Sequence, residues 1–179
     1  MIRKRLILSL TLLITLTICS YAQELVTNRP SPVAIISMRY KDAYVKVTYS
    51  RPSKRGREIF GKLVPYGQVW RTGANEATEI TVTQNIQVQG TLLKAGTYSL
   101  FTIPEKDSWT IIINNEVGLW GSYNYNSKLD QMRFVVPVQK MTDEFYEQFI
   151  MRFDQRNDVA DLIMAWDNIR ISIPIKFIN

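Results

Sequence analysis

Trp70-Arg71-Thr72-Gly73-Ala74-Asn75-Glu76 gathers an aromatic plate, a planar fork of N–H donors, a turn-forming glycine and two orienting side chains within one short segment. Arginine grips carboxylate, phosphate or sulfate through paired, charge-assisted hydrogen bonds. Tryptophan stacks on a sugar face or a guanidinium, while Asn and Glu fix hydroxyls or a peptide edge. The same residues also suit a corner of the fold, with Trp70 in the core, Gly73 turning the chain and Arg71 pairing with Glu76. Upstream, Arg51, Lys54, Arg55, Arg57 and Lys62 precede Arg71 with Glu58 as the sole acid among them. That density fits an anionic ligand, or a solvated loop whose cations pair with acids such as Glu76 and Glu79.

A second group follows in "NNEVGLWGSYNYNSKLD", where Asn114, Trp120, Gly121, Tyr123 and Tyr125 could complete a carbohydrate or peptide cleft. It could equally plug one end of the fold, because aromatic side chains are commonly packing groups. The candidate ligand-binding residues are thus Arg57, Trp70, Arg71, Asn75 and Glu76 in the first stretch, and Asn114, Trp120 and Tyr123 in the second.

Other chemistries are narrowed by composition. The chain has no histidine, which removes the commonest general base and transition-metal ligand, and its one cysteine, Cys19, lies near the N-terminus. Ser-His-Asp, Cys-His and zinc sites in their usual forms are excluded. Asp154, Asn157, Asp158 and Asp161 lie close together but lack the DxDxDG order of a calcium loop, and no GxxxxGK[ST] or GxGxxG phosphate cradle occurs. No metal and no cofactor is expected. A glycosidase needs two facing carboxyl groups; Glu76 would be its acid or base, with Glu58, Glu79 or Glu116 as partner.

The elements that must position these residues alternate with period two. In "NIRISIPIKF", Ile169, Ile171, Ile173, Ile175 and Phe177 fall on one face, with Arg170, Ser172 and Lys176 on the other. Pro174 has no N–H for a ladder, which predicts an edge position or a bulge there. Similar runs ("AYVKVTYS", "TEITVT", "TYSLFTIP", "WTIIIN", "EQFIMRF", "DLIMAW") are separated by turn residues such as Gly90 and Asp167-Asn168. Many short strands predict an all-β fold, one antiparallel β-sandwich of jelly-roll-like character. A short helical turn is expected near Thr142-Asp143-Glu144, where Thr caps and the acids suit the first turn. The segments 51–75 and 114–130 break the alternation, and long irregular connections on a rigid scaffold are where function concentrates.

The N-terminus carries Arg3, Lys4 and Arg5 before an apolar run from Leu6 to Ile18. The run is shorter than the roughly 20 residues of a membrane-spanning helix and ends in Ser20-Tyr21-Ala22, so residues 1–22 read as a signal peptide cleaved near Ala22. Ile18 before Cys19 argues against lipidation. Residues 23–32 form a polar lead-in and 33–179 one β-sandwich domain. Cleavage removes Cys19 and three basic residues, taking the net charge from +6 to +3. The expected product is periplasmic or extracellular, without disulfides, stable membrane insertion or a nucleic-acid signature, and its oligomeric state is left open.

The blocks "YSRPSKRGREIFGKLVPYGQVWRTGANEATEI", "LKAGTYSLFTIP", "WTIIINNEVGLWGSYNY" and "LIMAWDNIRISIPI" resemble the domain-of-unknown-function family 2911, a group of exported bacterial proteins. The resemblance covers about Ser31 to Ile175. It implies an exported all-β domain and brings no established activity, substrate, cofactor or catalytic residue. Three readings follow: a non-catalytic envelope binding module for an anionic or glycan-like ligand, a histidine-free glycan hydrolase using Glu76, and a structural envelope protein marked by a contiguous apolar patch.

Overall fold

The computed structural model of the chain describes residues 29–178. The signal peptide expected over 1–22, its cleavage point and the start of the lead-in lie outside them. The alternating runs become strands that form two sheets. One runs in the order β1 (Val33–Tyr40), β2 (Ala43–Ser50), β3 (Thr78–Val82), β6 (Gly96–Pro104), β7 (Ser108–Asn114), β8 (Asp130–Pro137). The other runs β10 (Tyr146–Arg156), β11 (Val159–Asp167), β12 (Ile169–Phe177), β4 (Ile86–Val88), β5 (Thr91–Leu93), with the short β9 (Gln139–Lys140) also on β12. Paired strands are antiparallel throughout these sheets.

The sheets pack face to face because each strand sends its apolar set to one side. Val45, Val47, Ile80, Leu100 and Ile111 meet Leu162, Met164, Ile171 and Ile173 in one buried cluster. Each such side chain contributes about 1.5–3 kcal/mol on burial. A one-residue slip of β12 would turn Arg170, Ser172 and Lys176 into that cluster, so register is strongly specified. Two-residue turns with positive φ at Lys41, Gln89, Asn157 and Asp167 close four of the hairpins, the conformation whose twist suits antiparallel pairs.

Two expectations are refined. β12 is an interior strand, yet Pro174 sits at a local edge: its carbonyl accepts from Gln89 N–H at 2.9 Å, so its missing N–H faces the side where β4 has already ended at Val88. No helical turn forms at Thr142-Asp143-Glu144, which is an irregular approach to β10, with Glu144 accepting from the Tyr146 hydroxyl at 3.0 Å. A 3₁₀ turn occurs instead at Ser127–Leu129, where Asn126 caps Lys128 N–H at 3.1 Å.

The sheets are also stitched by polar contacts. The Tyr49 hydroxyl of β2 accepts from Met151 N–H of β10 at 2.8 Å, and burial pushes its pKa up. Beyond β2 the chain crosses over, with Phe149 N–H donating to Pro52 O at 2.9 Å and Lys54 N–H to Glu147 O at 2.7 Å.

Candidate functional site

The first irregular stretch closes one end of the sandwich. At Lys54–Arg57 a tight turn with positive φ at Arg55 and Gly56 is closed by Arg57 N–H on Lys54 O at 3.1 Å. Gly61, at φ 92°, follows; a β-carbon there would lie 2.8 Å from the Tyr66 ring, so glycine is required on both counts. These turns drop Ile59, Val64 and Phe60 between the sheets. Phe60 meets Trp109 of β7 at 4.9 Å between ring centroids, and Trp70 stacks on Trp166 of β11 at 6.0 Å and 18°. Trp70 is only 8% exposed and its Nε1–H donates to Gly73 O at 3.0 Å. Its ring therefore belongs first to the core, as the corner reading expects.

Residues 71–78 then make a closed loop. Trp70 and Thr102 exchange backbone hydrogen bonds, so the chain runs beside β6, and Thr78 N–H returns to Arg71 O at 3.1 Å. Thr72 is fully buried at φ 54°, a conformation costing a β-branched residue about 1–3 kcal/mol. It is held there by Thr102 Oγ1 at 3.2 Å and by Thr78 Oγ1, which donates to Thr72 O at 2.7 Å. Gly73 lies so close to β2 that a β-carbon would sit 3.0 Å from Ser50 O.

The two flanks of this loop face different cavities. On one flank a cavity of about 270 Å³ is lined by Arg57, Leu63, Trp70, Arg71, Asn75 and Trp166, among others. No carboxylate is found among its described lining residues. Arg57 is anchored through Nε to Lys54 O at 2.9 Å and through Nη2 to Ser53 O at 2.6 Å, which leaves the rest of its fork available. Arg71 Nε is buried and has no hydrogen-bond partner. Asn75, at φ 60°, gives Nδ2 to Ser31 O in a long 3.4 Å contact.

On the other flank, Glu76 lines a cavity of about 280 Å³ with Val33, Thr48, Ala77, Glu79 and Leu119. Arg71 and Glu76 thus do not pair, contrary to the corner reading, because they face opposite sides of the loop. Glu76 instead binds Arg29 at 2.7 Å, and this guanidinium holds its carboxyl below the usual carboxylate range. Nor are the basic residues generally neutralised by acids: Lys54 pairs with Asp167 at 2.7 Å, whereas Arg55 and Arg57 donate to backbone carbonyls.

The second irregular stretch joins the first through the backbone. Gly121 N–H donates to Asn75 O at 2.9 Å, Ala77 N–H to Leu119 O at 2.9 Å, and Glu76 and Trp120 form a bridge. It covers Phe101 and Ile112 on the outer face of the first sheet with Leu119 and Tyr125. Of the predicted residues, Arg57, Trp70, Arg71 and Asn75 come together. Trp120 (60% exposed) adjoins Glu76 in the bridge, and Tyr123 (82% exposed) lies over Gly121. Asn114 is fully buried: Nδ2 donates to Asp130 Oδ1 at 2.8 Å and to Asn126 O at 3.0 Å, while Oδ1 caps Glu116 N–H at 2.9 Å. It shapes the loop that carries Trp120. Sequence reasoning missed Arg29, hidden in the lead-in, and Trp166, indistinguishable from any inward residue of a strand.

Among the described residues no group of His, Cys, Asp or Glu is placed to hold a metal ion, and no helix is long and apolar enough to cross a membrane. A family model described as "Protein of unknown function (DUF2911)" matches residues 31–175. No curated protein and no solved structure matches the chain.

Proposed function

We propose, for a chain that belongs to the DUF2911 family of proteins of unknown function, that it is an exported, non-catalytic binding module whose ligand carries an anionic group. The observation that carries this reading is Arg71: a guanidinium with a buried, unpartnered Nε, lining a cavity beside Arg57 and Asn75. A buried donor without a partner is costly in a free protein and is met when a ligand supplies the acceptor. The strained Thr72 next to it is the kind of conformation that persists where surrounding contacts fix a site. A carboxylate, phosphate or sulfate would engage Arg71 and Arg57, with Asn75 orienting the ligand and Trp70 and Trp166 forming an apolar floor. An anionic sugar of the cell envelope fits this chemistry, and the export signal expected at residues 1–22 would bring the module to it.

The hydrolase reading loses Glu76 as its general acid and keeps it only as a general base. A general acid must hold its proton near the working pH, whereas Arg29 favours the ionised carboxylate. Calorimetric titration of the protein with glucuronate, inorganic phosphate and sulfate tests the proposal. Saturable binding of at least one, abolished in a folded Arg71→Met variant, is expected; binding of none, or binding indifferent to that substitution, refutes it.

A further inference from the structure

We infer that the cavity on the Glu76 flank is a second, charge-reversed site, one that takes a cation on an apolar stem, a guanidinium or primary ammonium, in competition with Arg29 for Glu76. This inference does not rest on the anion site. Register alone places Glu79 in the middle of the outer face of the first sheet, in a row that runs Ile35, Thr48, Glu79, Ser99 across β1, β2, β3 and β6. Its Oε1 accepts Gly118 N–H at 2.8 Å, and no cation pairs with it among the described residues. Glu76 lies on the same cavity with Val33, Ala77 and Leu119 as apolar walls. Two carboxylates therefore line one cavity, and of the two only Glu76 has a cation partner, Arg29, among the described residues.

The pair that exists is incomplete. Arg29 Nη1 reaches Glu76 Oε1 at 2.7 Å, while Glu76 Oε2 is buried with no hydrogen-bond partner from another residue. A carboxylate accepts two parallel N–H bonds from a well-placed guanidinium, so the present contact leaves half of that capacity unused. It is also exposed, with side chains 50% and 44% accessible, and exposed pairs are weak enough to yield to a competitor. A ligand cation between Glu76 and Glu79 would meet both carboxylates, with its methylene stem against Val33 and Leu119. The volume, about 280 Å³, suits one extended side chain or the end of a polyamine.

Titration of the full chain with agmatine, and separately with a capped tripeptide bearing a central arginine, tests the inference. Saturable binding is expected, weakened by about tenfold or more in Glu79→Gln. It should be strengthened several-fold in Arg29→Ala, which removes the competitor for Glu76, and unchanged in Arg71→Met on the opposite flank. Tighter binding of agmatine would assign a free small-molecule cation, tighter binding of the tripeptide a side chain of a protein partner. Neither probe binding, Glu79→Gln leaving the affinity unaltered, or Arg29→Ala weakening it would overturn the inference. Arg29 and Glu79 lie outside the buried core, and a melting curve shows whether each of the three variants is folded.

Discussion

Arg71→Met should raise the melting temperature of the free protein and lower that of the protein saturated with anion. The guanidinium keeps a buried Nε–H with no acceptor, and an unmet buried donor costs about 1–3 kcal/mol. Methionine preserves much of the apolar stem and carries no donor. Taking a net recovery of about 1 kcal/mol, a fold of this size gains roughly 2–4 °C. The loss on the ligand side is larger: hydrogen bonds to a charged group contribute about 1.5–3 kcal/mol, or roughly 10- to 150-fold in affinity. In the wild type, an anion at about 100 times its dissociation constant adds about 2.7 kcal/mol, of which the variant at the same concentration keeps about 0.3–1.4 kcal/mol. Differential scanning calorimetry on both proteins, with and without the best-binding anion, should therefore give melting temperatures that reverse their order. A variant that melts lower in the absence of anion would show that the Arg71 guanidinium supports the corner itself and would refute the argument from its unmet donor.

Gly73→Ala should destabilise by about 1–3 kcal/mol, the range for overpacking, because the new methyl would press on Ser50 O at 3.0 Å; urea denaturation that finds no change would remove the close approach as the reason for glycine. Tyr49→Phe should cost about 1–3 kcal/mol by orphaning Met151 N–H. Burial raises the pKa of Tyr49 above its ordinary value near 10, so the associated stability is fully present below that pH and is lost as pH rises through the folded value. Urea titrations between pH 8 and 11 should accordingly show a shallower alkaline decline in Tyr49→Phe than in the wild type, and parallel declines would refute the assignment.

What was legible in the sequence was what is local. Strict alternation in Ile169–Phe177 reports which face of β12 is buried, and positions such as Gly90 and Asp167-Asn168 report turns, because backbone sterics act within a few residues. The cavity proposed for an anion was partly legible, since Arg57, Trp70, Arg71 and Asn75 belong to one irregular stretch. Its partition from Glu76 was not: two flanks of an eight-residue loop cannot be told apart without the Thr78-to-Arg71 closure and the contact with β2. Arg29 was invisible for the same reason, being 47 positions from the carboxylate it binds. Asn114 gave a misleading local signal, as an asparagine in a polar, aromatic segment reads alike whether it meets a ligand or braces its own loop. The helical turn expected at Thr142 shows the converse, a favourable cap overridden by the path the chain must take into β10.

The excursion of β4 and β5 out of the first sheet governs the order in which the molecule can assemble. β3 and β4 are separated by a short connection, yet β3 finishes in the meander of the first sheet while Val88 pairs with Ile175, 87 positions downstream. Closing a loop of that length precedes any gain from the pairing, so such contacts form late. Apart from β3 with β6, the first sheet pairs consecutive strands and forms them as they become available; β4 and β5 have no edge to join until β12 is present. Pulse-labelling hydrogen exchange should find the amides of Ile86–Leu93 protected together with those of β12 and after those of β1 and β2, the reverse order being incompatible with this route. Any chain shortened before β12 would carry a hairpin with an open edge, a template for association with other copies. The pairing of β12 with β4 is thus the step that completes the second sheet.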